Sequence, residues 1–427
     1  MKRTLTLLLL SLATPVAAIA QPALLLRPER VFDGVDPASH AGWQVLVRGD
    51  RIEAVGPSLT VPADARVIDL PGQTLIPGMI EGHAHLFLHP YNEAKWDDQV
   101  LHESLALRTA RAVVAARATL MAGFTTVRDL GTEGAGFADV GLRQAIDQGI
   151  VPGPRLIVAT KAIVARGAYG PKGFEPGVEV PLGAQEASGV DELVKAVRDQ
   201  IAAGADVIKL YGDYRWRPGE DSRPTFSLVE LSAAVEAAHD AGRPVAIHTS
   251  TPEGMRRAIA AGADTIEHGY GATIEVLASM KVKGMTLCPT LAAADAVARY
   301  AGWNGSEPVP ASVATSRRAF ALARASGVRI CAGGDVGVYA HGDNVRELEL
   351  MVAGGMTPAQ AMVAVTSTNA RAFRLPDRGA IRPGLKADLV ALRGDPTRDI
   401  ASARAVAMVI KNGAVVLGEQ SGGDKRQ

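Results

Sequence analysis

The sequence predicts an α/β protein: a (β/α)8, TIM-like barrel flanked by a small β-sandwich domain built from both termini. Three observations predict it. The middle of the chain repeats a cassette of helix, glycine, short apolar strand and polar residue. Both ends carry short, alternating strand-like runs instead. The polar residue that closes a central strand is repeatedly a histidine or an aspartate.

The N-terminus stands apart. Lys2 and Arg3 precede an apolar run over residues 5–16, and Ala18, Ile19 and Ala20 supply small residues at cleavage positions. Residues 1–20 therefore read as a secretory signal peptide, which places the mature chain in the periplasm or outside the cell. The run is too short for a membrane span, and no later segment is long and apolar enough, so no membrane partner is expected after cleavage. Residues 421–427 read as a flexible tail.

The β-rich ends come next. Ala23 to Leu26, Gln44 to Arg48 and Arg51 to Val55 read as strands, with Gly49-Asp50 as a hairpin turn. The same texture returns in Asp388 to Leu392 and Val406 to Val415. Residues 21–74 and 378–420 are assigned to the composite β domain, and 75–377 to the barrel.

Each barrel unit has its own punctuation. The first strand spans residues 75–85, an apolar run ending in His83-Ala84-His85. A long Ala/Arg/Val helix ends near Gly123, before Thr125 to Asp129, and Arg155 to Ala159 follows. Asp191 caps a helix that Gly204 ends, before Asp206 to Lys209. Ser227 and Glu230 form a capping box for a helix stopped by Gly242, before Pro244 to His248. Pro252 opens the next helix and Gly262 closes it, before Asp264 to His268. The last two strands end at Leu287-Cys288-Pro289 and Ile330 to Asp335. Alternation without hairpins implies a parallel sheet, and eight such units over about 300 residues imply a barrel.

Composition excludes some functions. Lys+Arg and Asp+Glu both number 45, so no basic excess marks a nucleic-acid partner, and an aromatic content of 4% does not suit a stacking surface. Two cysteines, Cys288 and Cys331, are too few for a disulfide scaffold. Both sit in apolar runs and are expected as buried free thiols, although an oxidising compartment permits a bridge.

Barrel chemistry collects at the carboxyl ends of strands. There the sequence places His83 and His85, Lys209, His248, His268 and Asp335. Residues i and i+2 of a strand share a face, so His83 and His85 can hold one ion. One histidine at a strand end is more often a satisfied core residue than a ligand; this many coinciding ends argue for a metal centre. Four histidines and an aspartate exceed what one zinc takes, so two divalent ions are expected. Two ions need a bridge, and a neutral Lys209 amine that captured carbon dioxide as a carbamate would supply two anionic oxygens.

These residues, with Pro77 to His85, Ile266-Glu267-His268-Gly269, Gly334-Asp335 and Arg382 to Leu389, carry a resemblance to the amidohydrolase superfamily over residues 24–418. The chain resembles the branch near imidazolonepropionases and metal-dependent, Xaa-Pro dipeptidase-like enzymes, and is similar to bacterial ochratoxin-hydrolysing amidohydrolases. The resemblance implies a metal-dependent hydrolase barrel in which His83, His85 and Asp335 hold one ion, His248 and His268 the other, and N-carboxylated Lys209 bridges them. It implies zinc as the usual ion and a homo-oligomer. Two cations would lower the pKa of a shared water to give hydroxide, and Asp335 would take its proton and pass it to the leaving amine.

Substrate residues are sought in the strand-end loops: Tyr169 after the third strand; Tyr211, Tyr214 and Arg215, with Trp216, after Lys209; His341 after Asp335. Ordinary loop packing is the competing reading for each. Tyr169 stands where dipeptidase-like relatives carry the histidine of a Gly-Gly-His-Gly turn, which weakens a direct transfer of dipeptide specificity. The favoured expectation is hydrolysis of a small amide bearing a carboxylate: a dipeptide, an N-acyl amino acid or an ochratoxin A-type amide. The alternatives are opening of a cyclic amide and, from another class, a non-catalytic metal-binding protein of the envelope.

Overall fold

The computed structural model describes residues 23–175 and 177–418. The signal segment expected at 1–20 and the tail expected at 421–427 lie outside the described residues. Both ends of the chain build one mixed sheet. Its N-terminal strands are Leu24–Val31, His40–Ala41, Gln44–Arg48, Arg51–Gly56 and Arg66–Pro77, and its C-terminal strands Leu389–Arg393, Val406–Lys411 and Ala414–Leu417. The two ends meet where Arg66–Pro77 pairs antiparallel with Leu389–Arg393, Leu75 facing Ala391. Alternation buries Leu24, Leu26, Val45, Val47 and Leu389 in a common cluster.

The centre contributes eight parallel strands: β1 (Met79–Ala84), β2 (Phe124–Asp129), β3 (Arg155–Val158), β4 (Ile208–Tyr211), β5 (Val245–Thr249), β6 (Thr265–His268), β7 (Thr286–Cys288) and β8 (Arg329–Ile330). β1, β2 and β3 pair in that order, as do β4 to β8. Backbone bonds connect the two groups. Gly82 N donates to Ala332 O and Asp335 N to His83 O, tying β1 to the segment after β8; Asp206 N donates to Val158 O beside β3. Most of these helix ends follow the sequence signals: the Ser227–Glu230 capping box is formed, and Gly204 and Gly262 close their helices at φ of 111° and 85°, but Asp191, expected as a cap, lies inside the first turn of Gly189–Ala203, where Ser188 is the N-cap residue. Among the described residues no helix is long and apolar enough to cross a membrane.

Four expectations are corrected. The apolar run 75–85 is two strands, not one, because the chain changes sheets at Gly78. Gly78 N donates to Asp388 O, while the next amide, Met79 N, donates to Gly123 O beside β2. A Cβ on Gly78 would lie 2.0 Å from Thr125 Oγ1, so no larger residue fits this crossing. Lys209 is the second residue of β4 rather than its last. Two short parallel strands, Ile163–Ala165 and Gln185–Ala187, intervene after β3 and hold the loop that carries Tyr169. Finally, Cys288 and Cys331 form a disulfide with Cα atoms 4.9 Å apart. β7 and β8 are neighbours with Leu287 facing Ile330, so the next residue of each is brought alongside its partner.

Candidate active site

The side chains converge because the strand register aligns them. On β1 the two-residue period turns His83 and His85 to one face. His83 is fully buried, and its Nε2 has no hydrogen-bond partner. Asp335 Oδ1 lies 3.6 Å from that nitrogen and 3.2 Å from His85 Nε2. His83, His85 and Asp335 place one ligand atom each within 4.8 Å of one another. On β4 and β5, Tyr211 faces His248, and the two rings stack at 4.4 Å. Lys209 sits one pleat below on the same face, its Nζ buried, unpartnered and 5.4 Å from the Tyr211 ring. His268 completes the ring, its centroid 4.4 Å from that of His248 and 5.2 Å from that of His83. His268 and Asp335 hold positive φ, 69° and 62°. Non-glycine residues adopt this left-handed region at a cost of about 1–3 kcal/mol each, and such strain clusters at functional sites.

A buried polar scaffold orients these groups. His83 Nδ1 donates to Glu267 Oε2 at 2.8 Å, which leaves Nε2 as the free lone pair. Glu267 Oε1 in turn accepts from Arg128 Nη2 at 2.8 Å and from Thr265 Oγ1 at 2.5 Å. Arg128 also donates through Nε to Gly82 O and stacks over Phe373. His85 Nδ1 donates to Gly131 O, and His268 Nδ1 pairs with Thr290 Oγ1 at 2.7 Å. Glu81 accepts from the amides of His83 and Gly334 and from Asn344 Nδ2, bracing β1 against the Asp335 segment.

The electrostatics favour lone pairs on three of the four histidines; on His85 the pull of burial is outweighed by the adjacent carboxylates of Asp335 and Glu133, which raise it to about 9. Burial holds His83 and His248 well below the ordinary imidazole value and pulls His268 down to about 4. Burial also lowers Lys209, towards a neutral amine. Burial alone would raise Asp335, but the imidazoles of His83 and His85 keep it far below the usual carboxylate range. The donor set therefore fits divalent metal: an unpartnered imidazole nitrogen, an unpartnered carboxylate oxygen and an unpartnered amine, all buried and converging. A buried polar atom left without a partner is costly, and His83 Nε2 and Asp335 Oδ1 stand 3.6 Å apart in that state.

Above the histidines opens a cleft of about 860 Å³. Tyr169, Tyr211, Tyr214 and Arg215 line it, with His85, His248, His268 and Asp335 in its wall. His341 lies elsewhere: its imidazole packs behind β1 against the His85 carbonyl, 3.2 Å from Nε2, and beside Thr119. That placement corrects its expected role as a substrate contact. Three further residues, Glu133, Tyr91 and Tyr270, line the cleft. Sequence reading missed them, together with Glu267, Glu81 and Arg128. A charged residue one or two positions before a strand-end histidine, as Glu81 and Glu267 stand, was the available signal.

Buried histidines and an aspartate at the carboxyl ends of parallel strands define a class, the metal-dependent hydrolases of α/β fold. Residues 74–416 match the amidohydrolase family model, and the chain belongs to the amidohydrolase family. It is 31% identical over 376 residues to ochratoxinase of Aspergillus niger, covering 81% of this chain and 76% of that protein. It is 24% identical over 429 residues to imidazolonepropionase of Deinococcus deserti, covering 94% and 96%. Among solved structures, a Xaa-Pro dipeptidase with bound methionine in the active site superposes with a TM-score of 0.84 at 30% identity, covering 93% of this chain and 100% of that one. These relatives imply a TIM-barrel-like α/β fold and make the chain a hydrolytic enzyme acting on C–N bonds.

Proposed function

We propose that the protein is a binuclear metal-dependent hydrolase that cleaves the amide bond of a small carboxylate-bearing substrate: a dipeptide, an N-acyl amino acid or an ochratoxin A-type amide. The carrying observation is the group of His83, His85 and Asp335, whose ligand atoms lie within 4.8 Å of one another with His83 Nε2 and Asp335 Oδ1 unpartnered, together with the buried, unpartnered Lys209 Nζ. His83, His85 and Asp335 would hold one ion, zinc by preference, and His248 and His268 the other. A neutral Lys209 amine that added to carbon dioxide with loss of a proton would become a carbamate, an anionic ligand in place of an ammonium. When bound, two divalent cations acidify water to hydroxide at neutral pH and polarise the scissile carbonyl.

The remaining steps belong to the chain. Asp335, partly exposed at the cleft floor, accepts the proton from the attacking water and returns it to the leaving nitrogen. Glu267 fixes the His83 tautomer through that exchange. Arg215 and the hydroxyls of Tyr211 and Tyr214 offer donors for a substrate carboxylate. The same reading closes the eight strands into a complete barrel, folds the terminal sheet into a sandwich domain of residues 21–74 and 378–420, and exports a homo-oligomer after removal of residues 1–20. N-terminal sequencing and light scattering test the last two points.

The deciding experiment is a substrate screen with zinc and bicarbonate over dipeptides, N-acyl amino acids, ochratoxin A and lactams, both products followed by mass spectrometry. Release of a free amino acid, lost in Lys209→Ala together with metal content, is the expected result. Mass gain on lactams without a fragment would instead establish the cyclic-amide reading.

A further inference from the structure

The cleft contains a carboxylate that the proposed mechanism does not use. Glu133, in the loop after β2, is 2% exposed, forms part of the cleft wall and holds a φ of 49°. Its Oε2 is occupied, accepting from Tyr169 Oη at 2.6 Å and Trp96 Nε1 at 2.9 Å. Its Oε1 is buried without a hydrogen-bond partner. A buried carboxylate with one oxygen clamped and the other unmet is an acceptor awaiting a donor. The surroundings select the donor's charge. Glu133, Glu220, Asp221 and Asp335 line the cleft with Arg215 and His85, and the Glu133 Oε1 lies 3.7 Å from His85 Nδ1, beyond hydrogen-bond reach. Tyr169, Tyr211 and Tyr214 pack beside Glu133 with ring centroids 4.7 to 5.8 Å apart, and aromatic faces attract cations.

We infer that Glu133 is a specificity residue for a primary ammonium on the acyl side of the scissile amide, so that the substrates are zwitterionic peptides rather than neutral N-acyl amino acids. This rests on the amide-hydrolase reading above. The ammonium is either the α-amino group of a dipeptide or the terminal amine of a longer side chain; both offer the same charge-assisted hydrogen bond.

Paired isosteres test it on the metal-loaded enzyme. With X the amino acid selected by the substrate screen, or methionine where the screen selects none, alanyl-X is compared with propionyl-X, and 6-aminohexanoyl-X with hexanoyl-X. Each pair differs only by the ammonium, and the two pairs separate its two positions. One member carrying the ammonium should be preferred by roughly ten- to a hundredfold in kcat/KM, the worth of one hydrogen bond between charged groups. Glu133→Gln keeps an acceptor oxygen for Tyr169 and Trp96 and removes only the charge. It should erase that preference through KM, costing the ammonium-bearing member far more than its neutral partner. Equal turnover within both pairs, or an equal loss on all substrates in Glu133→Gln, would overturn the inference and leave Glu133 a positioning residue for Tyr169. If neither series is hydrolysed, calorimetry decides. Binding of alanyl-X that disappears in Glu133→Gln keeps the ammonium site while the amide-hydrolase reading fails; no binding ends both.

Discussion

The two halves of the candidate metal centre are built differently. His83, His85 and Asp335 are drawn together by a charged network: Glu267 between His83 and Arg128, Glu81 between β1 and Gly334, and imidazole against carboxylate. His248 and His268 rest on lighter supports, a stacking contact with Tyr211 and one hydroxyl from Thr290. Between them the Lys209 amine is buried and unpartnered. One half is pre-organised by the fold; in the binuclear reading proposed above, the other would be completed by what binds there. Metal is therefore expected to dissociate first from the His248 and His268 half during graded chelation.

The largest effect that separates chemistry from metal binding is expected at Asp335. Asparagine keeps an oxygen for coordination but cannot accept and return a proton. Asp335→Asn should lower kcat by about 10²–10⁴-fold and retain most of the metal, as read by elemental analysis of the purified variant. Loss of metal in proportion to activity would mean that Asp335 matters as a ligand and that the proton moves through another group.

Next comes Glu267, which decides how far the pre-organised half depends on its charged scaffold. Glutamine removes the partner of the buried Arg128 and replaces an anionic acceptor of the His83 Nδ1 proton. Breaking a buried ion pair on one side costs about 3–5 kcal/mol, and mutating a residue that orients a ligand typically weakens metal affinity 10–100-fold. Thermal unfolding and competition with a zinc chelator should register both losses in Glu267→Gln. Unchanged stability would show that Arg128 finds another acceptor and that the network is not what holds β1 in place.

Much of this was legible in the sequence, for reasons that also mark its limits. The order of strands and helices followed from helix stops such as Gly204 and Gly262, whose αL geometry is a local property. The converging ligands followed from period and position, since His83 and His85 share a face by spacing alone. What failed was non-local. Gly78 breaks an unbroken apolar run because two sheets meet there, and each demands an apolar strand, so composition does not change across the break. The Cys288–Cys331 bridge depends on the register between β7 and β8, which neither cysteine's neighbours encode. His341 follows Asp335 in sequence, yet it turns behind β1 to the His85 carbonyl, and burial there holds it down to about 4. Glu133 escaped notice because its partners are distant in the chain: Trp96 opens a helix before it and Tyr169 lies in a loop after it.

The smallest expected effect probes the lighter half. Thr290 Oγ1 sits 2.7 Å from His268 Nδ1, and Thr290 itself holds a positive φ of 48° where β7 passes into the next helix. Tyr270 Oη also reaches the Thr290 hydroxyl, at 2.9 Å, so the hydroxyl fixes both an imidazole and a cleft-lining tyrosine. Valine preserves the shape and removes the hydrogen bonds, leaving His268 free to rotate. A neutral hydrogen bond is worth roughly 1 kcal/mol, so Thr290→Val should weaken the more labile metal by about fivefold and leave the tighter one untouched. Two-phase chelation followed by zinc release would resolve the phases. A shift confined to the fast phase would place Thr290 in support of the His248 and His268 half, whereas a shift in both phases would mean that the two halves tighten together and that the division between them is one of scaffold alone.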